Sequence, residues 1–273
     1  AAYSRIESLL GEHSDIEEPA HPMALASAFP LRVLGLGYRL EQRTLLQGVD
    51  VTLQAGAMLG IVGRTGAGKS SLLKLLMRLA NPTAGEIRMG EVPISQLSLG
   101  ELRSQFAYVP QEPFLFSTTI AANIALGRPE ASREEIERVA RIACVHDDIS
   151  RFPKGYETEV GEKGVTLSGG QKQRLAIARA LLLDAPILVL DDALSAVDAH
   201  TEQQILLALK VHKRTLVLVS HRMTAVEQAD EILVLEQGAI SERGRHETLM
   251  ARNGWYADMV RYQRLEQDVE ESL

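Results

Sequence analysis

Gly63-Arg64-Thr65-Gly66-Ala67-Gly68-Lys69-Ser70 fits the spacing G-x-x-x-x-G-K-[ST]. An apolar run, Met58–Val62, enters it, and a leucine-rich segment with helical spacing, Ser70–Leu79, leaves it. Glycines at these positions let successive backbone N–H groups curl round phosphate oxygens with no Cβ in the way. A helix starting near Lys69 adds the partial positive charge of its N-terminus. Lys69 would reach the β- and γ-phosphates of a nucleotide, and the Ser70 hydroxyl would ligate Mg²⁺. A glycine turn beside a surface lysine is the plain alternative. The strand–loop–helix setting, and a chance frequency of about one chain in a hundred of this length, favour a nucleotide-binding loop.

Two further stretches read as its companions. Ile187-Leu188-Val189-Leu190-Asp191 is a buried-strand pattern delivering a carboxylate at its C-terminal end, where open α/β sheets place ligands. Asp191 is expected to hold the Mg²⁺ shell rather than move a proton. Alone, an apolar run ending in Asp is mostly structural; paired with Lys69, the functional reading prevails. Leu167-Ser168-Gly169-Gly170-Gln171 precedes a helical segment, Lys172–Leu183. Ser168 could cap that helix, or its glycines could expose N–H groups to a second anion. Spacing alone leaves those two readings even.

Outward from these motifs the chain reads as an alternation of strands and helices. Leu31–Tyr38 and Leu45–Leu53 are expected as strands of a small antiparallel layer. Helical segments, including Arg133–Cys144, dominate from Pro113 to about Leu183. Ile187–Leu190, Thr215–Ser220 and Glu231–Leu235 are strands apolar on both faces, which implies a mostly parallel sheet covered on both sides. Gly11–Pro30, with Pro19, Pro22 and Pro30 and four acidic residues (Glu12, Asp15, Glu17, Glu18), has linker composition. Ala1–Leu10 reads as a short helical end, and Glu266–Leu273 as a frayed, solvated acidic tail.

The whole chain has 273 residues, 45% of them hydrophobic and 24% charged, which excludes disorder and collagen-like repeats. Its formal net charge of −7 and the lack of a Lys/Arg block argue against nucleic acid as a partner. Cys144 is the one cysteine, so no internal disulfide can form. No apolar run approaches the roughly 18–20 residues that span a bilayer. No basic stretch with an apolar core opens the sequence, so no secretory leader is expected. The start at Ala1 rather than Met suggests a piece of something longer.

With Leu167–Gln171 standing between the phosphate loop and the Asp191 strand, the sequence resembles the ATP-binding cassette (ABC) ATPases over about residues 31–262. The resemblance implies a P-loop NTPase core with a mostly parallel sheet, an antiparallel β layer and an inserted helical subdomain at about 113–183. Residues 31–273 would form that ATP-binding domain, and residues 1–30 the end of a transmembrane-helix extension and a linker. It further implies that Gly63 through Ser71 bind ATP, and that Ser168, Gly169, Gly170 and Gln171 face the γ-phosphate held by a second ABC subunit. Tyr38 would stack on adenine, where any strand aromatic would look the same. Gln111 would touch Mg²⁺ and the attacking water and sense the transmembrane partner, Asp198 would cross the dimer interface, and His221 would contact the γ-phosphate. Phe114–Ile120 with Asn123-Ile124, and Thr158–Gly164, resemble exporter-type cassettes, where they meet the transmembrane coupling helices. The nearest resemblance is to bacterial multidrug-resistance-like Mdl transporters, at the half carrying the A-type subunit. It places the domain on the cytoplasmic face of the bacterial inner membrane, beneath its own transmembrane domain.

One position departs from the family. Where it carries Glu after the Asp of the second motif, to polarise the attacking water, this chain has Asp192. The carboxylate is drawn back by ~1.5 Å, against a reach of about 2.6–3.2 Å that a base requires. The expectation is an asymmetric heterodimer: this chain's loop holds ATP tightly and turns it over slowly, while its intact Ser168–Gln171 completes the partner's site. Two other readings are a regulatory nucleotide clamp with little turnover and a soluble ABC ATPase acting on DNA or ribosomes. The last calls for coiled-coil insertions or basic arms, which this sequence lacks.

Overall fold

The computed structural model describes Ser14, residues 16–161 and residues 165–271, without the side chains of 267, 270 and 271. The helical end expected at Ala1–Leu10 and the stretch Glu162-Lys163-Gly164 lie outside the described residues. Residues 16–30 contain neither helix nor strand, in keeping with their prolines, and run along the domain surface. There the Met23 amide donates to the Gln96 carbonyl at 2.8 Å and the Leu25 amide to Glu101 at 3.0 Å.

In chain order the N-terminal part gives β1 (Leu31–Leu40), β2 (Arg43–Leu53), β3 (Met58–Gly63) and α1 (Lys69–Leu76). Then come β4 (Ala84–Met89), β5 (Val92–Pro93), α2 (Leu99–Ser104) and β6 (Phe106–Val109). A helical stretch follows, with α3 (Ile120–Ile124), α4 (Arg133–Ile142), α5 (His146–Ser150) and α6 (Gly169–Leu182). The C-terminal part alternates β7 (Ile187–Asp191), α7 (Ala199–Val211), β8 (Thr215–Val219), α8 (Met223–Val226) and β9 (Glu231–Glu236). It ends in β10 (Ala239–Gly244), α9 (His246–Arg252) and α10 (Trp255–Glu271).

Two sheets form. One is antiparallel, in the order β2-β1-β4-β5; the other runs β10-β9-β3-β8-β7-β6, parallel throughout except for β10 at its edge. The side-chain alternation of the central strands explains why both faces are covered. Ile187 and Val189 of β7, with Val217 and Val219 of β8, enter the core shared with the antiparallel sheet and the α1 leucines. Leu188, Leu190, Leu216 and Leu218 enter the opposite core, against α6 and the helical stretch. Strands with two buried faces have no polar positions to spare, hence the near-continuous apolar runs. Ser132 and Ser168 each close a capping box, with Glu135 and Gln171 respectively, and so set where α4 and α6 begin.

Three differences from the sequence expectations have physical causes. The antiparallel layer gains β4, whose Ile87 and Met89 are buried but whose first three residues are exposed, blurring any alternation. β6 has only four residues, too few for a period-2 signal. The C-terminal tail is not frayed through its length: α10 runs to Glu271, since Gln, Glu, Arg and Leu are all good helix formers.

Candidate nucleotide site

β3 delivers the chain into the glycine loop at Gly63, whose φ of 143° leaves no room for a side chain: a Cβ there would lie 2.2 Å from the Leu235 carbonyl oxygen. Gly68, with φ 105°, is the N-cap of α1, and a Cβ on it would meet the Leu45 carbonyl at 2.6 Å. Gly66, at φ 81°, faces open space instead. Since Gly68 offers no side-chain cap and the first turn of α1 holds no acidic residue, its N-terminal N–H groups face the loop uncompensated.

Lys69 is buried, and its ammonium folds over the loop to donate to the Gly63 and Arg64 carbonyls at 2.7 and 3.0 Å. Burial pushes its pKa down, while the carboxylates of Asp192 and Asp191 act the other way. Asp191 ends β7 beside β8, where burial pushes its carboxyl up and hydrogen bonds from Tyr108 and Ser70 oppose that. The Tyr108 hydroxyl donates to Asp191 at 3.1 Å, and its own pKa is pushed up to about 12, by burial first and then by the Asp191 charge.

Asp192 is buried in the left-handed region, with φ 50°. Its amide donates to the Val219 carbonyl at 2.9 Å, and its two carboxylate oxygens face different partners. One accepts from the Gln111 amide at 3.1 Å; the other lies 3.4 Å from the backbone N–H of His221. The cavity enclosed this way is about 260 Å³. Thr65, Gly66, Gly68, Lys69, Ser70 and Ser71 line one side, and Gln111, Asp191, Asp192 and His221 the other. Arg43, Leu45 and Val219 complete the wall.

The donor set fits a polyphosphate with a divalent cation. An ammonium, an open helix terminus and the unfilled space at Gly66 suit anionic oxygens. Among the described residues no group of three or more His, Cys, Asp and Glu side chains could hold a metal alone. The hydroxyl of Ser70 and the carboxylate of Asp191 are a partial shell, which phosphate oxygens and water would complete.

Other expected site residues lie elsewhere. Gly63, Arg64 and Ala67 belong to the loop but are not among the residues lining the cavity, Ala67 being buried and its carbonyl bonded to the Gly238 amide. Tyr38 lines a separate recess with Gly37, Thr44 and Leu46. Ser168 caps α6, accepting from the Gln171 amide at 3.2 Å, and the Gln171 side chain donates on to Asp148. Asp198 caps α7, accepting from the Thr201 amide at 2.9 Å; that bond holds its carboxyl below the ordinary range.

Sequence reasoning missed the side chains that connect these segments. Gln173, buried on α6, donates to the Gln111 carbonyl at 3.3 Å and the Ser195 hydroxyl at 3.1 Å, and accepts from the Ala196 amide at 2.9 Å. Arg222 donates to the Ser195 and Val197 carbonyls at 2.9 and 2.6 Å and pairs with the buried Glu202 at 3.1 Å. Gln173 had one signal, an amide just before the apolar run Leu175–Ala178. Arg222 and Glu202, 20 residues apart, had none.

The family model described as ABC transporter matches residues 46–195. The chain is 49% identical to the multidrug resistance-like ATP-binding protein MdlA of Escherichia coli K12, over 97% of this chain and 46% of that protein. It is 43% identical to the ATP-dependent lipid A-core flippase of Chromohalobacter salexigens, over 96% and 46%. The solved structure of a bacterial Atm1-family ABC exporter with ATP bound aligns with a TM-score of 0.90 at 39% identity, covering 95% of this chain and 47% of that one. The chain spans about half the length of the curated relatives it matches. With the glycine loop, the Asp191 strand and a fold that aligns over nearly its whole length, the chain belongs to the ABC transporter family.

Proposed function

We propose that this chain binds and hydrolyses ATP to drive substrate export by an ABC exporter of the multidrug type. The observation that carries the reading is the convergence of Lys69, Ser70, Gln111, Asp191, Asp192 and His221 on one cavity at the mouth of the glycine loop. Residues 31–273 are read as the ATP-binding domain, with 113–183 as its helical subdomain and 1–30 as the linker to a transmembrane domain. No helix among the described residues is long and apolar enough to cross a membrane. Its place is the cytoplasmic face of the bacterial inner membrane.

In this reading the loop amides and Lys69 hold the β- and γ-phosphates, and Tyr38 stacks on the adenine. Ser70, Asp191 and Gln111 hold Mg²⁺, which when bound neutralises charge on the phosphate oxygens. Asp192 accepts a proton from the attacking water, which Gln111 helps to orient. His221 donates toward the γ-phosphate as negative charge grows there. Ser168–Gln171 serve the nucleotide of a second subunit, with Asp198 at the shared interface.

Phe114 and Phe116, exposed and packed edge to face with centroids 4.9 Å apart, support a docking surface for the membrane part. The adjacent cavity of about 330 Å³ has Leu115, Val160 and Leu167 in its lining. Asn123 pins this corner, exchanging two 2.9 Å hydrogen bonds with the backbone of Phe116.

Asp192 favours the asymmetric version of the proposal, in which a heterodimer partner carries most turnover. It equally supports a nucleotide clamp if this site scarcely turns over. Lys69→Ala tests the core of the reading. ATP affinity and phosphate release should both fall by about a hundredfold or more with thermal stability retained, because the substitution removes the cation that meets the phosphates. Undiminished hydrolysis would defeat it.

A further inference from the structure

We infer that Gln263, on the C-terminal helix α10, is a positioning residue for the loop that presents His221, so that α10 sets the rate at which the site turns over. The inference rests on the proposed ATPase function and goes beyond it. The Gln263 side chain bonds the backbone on both sides of Arg222. Its amide nitrogen donates to the His221 carbonyl at 2.7 Å, and its amide oxygen accepts from the Met223 N–H at 2.8 Å. The other end of the same residue is held from the cavity, since the His221 N–H faces the Asp192 carboxylate at 3.4 Å. Residue 221 is thus bonded through its N–H by a cavity carboxylate and through its carbonyl by a side chain some forty positions downstream.

Those bonds act on a short loop that is also held at its start, where the Ser220 N–H donates to the Ile61 carbonyl at 3.3 Å and the Arg222 N–H to the Ser220 hydroxyl at 2.9 Å. β8 ends at Val219, α8 begins only at Met223, and its N-cap residue, Arg222, makes no side-chain cap. The Met223 N–H, an otherwise orphaned helix donor, is satisfied by Gln263 instead. From this anchored stretch His221 lines the cavity, and the Arg222 guanidinium reaches the Ser195 and Val197 carbonyls. A shift of α10 along or about its axis would therefore move His221 relative to the cavity and pull on the loop that ends at Asp198. Gln263 is half-buried; its bond from the Met223 N–H is partly buried and its bond to the His221 carbonyl is exposed.

The two halves of the amide can be separated. Gln263→Ala removes both bonds, whereas Gln263→Glu keeps an acceptor for Met223 and loses the donor to His221. In the intact transporter, Gln263→Ala should lower single-turnover hydrolysis of ATP at this chain's own site about tenfold and change ATP affinity less than twofold, because ångström-scale misplacement acts on the reacting geometry rather than on binding. Gln263→Glu should fall between Ala and wild type. Independently of turnover, hydrogen exchange at the Met223 amide in the nucleotide-free protein should speed up in Gln263→Ala and stay slow in Gln263→Glu. Unchanged single-turnover hydrolysis in Gln263→Ala, or an unprotected Met223 amide already in wild type, overturns the inference and leaves the ATPase reading intact. Loss of ATP affinity together with a large drop in melting temperature assigns Gln263 a structural role and also overturns it. A wild-type protein that binds ATP without turnover overturns both.

Discussion

Asp192→Glu is the substitution with the sharpest outcome. Asp192 sits at φ 50°, its amide tied to Val219 and its carboxylate held by Gln111 at 3.1 Å, so the backbone cannot advance to make up a short side chain. One more methylene carries the carboxylate ~1.5 Å further into the cavity. A base must lie within about 2.6–3.2 Å of its water, and about 1 Å of misplacement costs about a hundredfold, or about 2.7 kcal/mol of barrier. Single-turnover hydrolysis of ATP at this chain's own site should therefore rise by about tenfold to a hundredfold. Steady-state turnover separates the pairings. If a partner's site is already fast and this one runs at about a hundredth of its rate, repair adds one equal site and raises the total by about twofold at most. In a symmetric pair of this chain, the whole rise appears in steady state. The substitution also places Glu in the left-handed region, which tolerates Asp better, at a cost of about 1 kcal/mol. The assay is phosphate release from the intact transporter, with and without its partner subunit, beside a single-turnover measurement. No rise in single turnover refutes the short-base argument. A rise of about a hundredfold in steady state without any partner refutes the asymmetric pairing.

The glycine loop should separate packing from phosphate contact. Gly63→Ala puts a Cβ 2.2 Å from the Leu235 carbonyl and should cost about 3 kcal/mol or more by chemical denaturation. Gly66→Ala meets nothing within 4 Å, so it should cost about 1 kcal/mol of backbone strain yet weaken ATP binding measured by calorimetry. At the start of α7, Asp198 has its carboxyl held below the ordinary value of 3.8 by the Thr201 amide. A depressed folded value stabilises above the ordinary one and loses that contribution as pH falls through the folded value. Asp198→Ala should thus destabilise by about half a kcal/mol at neutral pH, given the exposure of the group, and by less in strong acid, where the protonated carboxyl still caps without its charge. Asp198→Asn, whose cap does not titrate, should remove the pH dependence while keeping most of the stability.

What the sequence made legible was whatever short-range patterning controls. The glycine loop, the strand before it and the helix after it are contiguous, so spacing alone located them within one to three residues. The central strands were legible because two buried faces leave an unbroken apolar run. β4 and β6 were not, the first being half exposed and the second four residues long. In the site, Lys69 and Asp191 could be paired from local sequence because each ends a strand or begins a helix at the same edge of a parallel sheet. Gln111, His221 and Asp198 entered only through resemblance, since each sits in a loop with no periodicity to read. Gln173, Arg222, Tyr108 and Gln263 act across 20 to 83 positions, and no local pattern marks a side chain whose partner is that distant.

Those distant contacts share a destination that the motifs taken singly do not reveal. The segment from Asp192 to Asp198 begins with the candidate base and ends with the residue assigned to the subunit interface. Between them, Ser195 and Ala196 are bonded to Gln173 of α6, while the Ser195 and Val197 carbonyls are bonded to Arg222 beside His221. Gln173 also bonds the Gln111 carbonyl, and a Cβ on Gly170 would lie only 2.7 Å from the Ala196 carbonyl oxygen. The glycine at 170 is thus demanded by close packing on this segment, independently of any contact with an anion. A change at the cavity that moves Gln111, Asp192 or His221 therefore meets α6 through direct bonds and closely packed backbone, which shift between discrete arrangements rather than deform continuously. In the proposed dimer α6 begins at the partner's nucleotide, so the same few hydrogen bonds that order one site would register the state of the other.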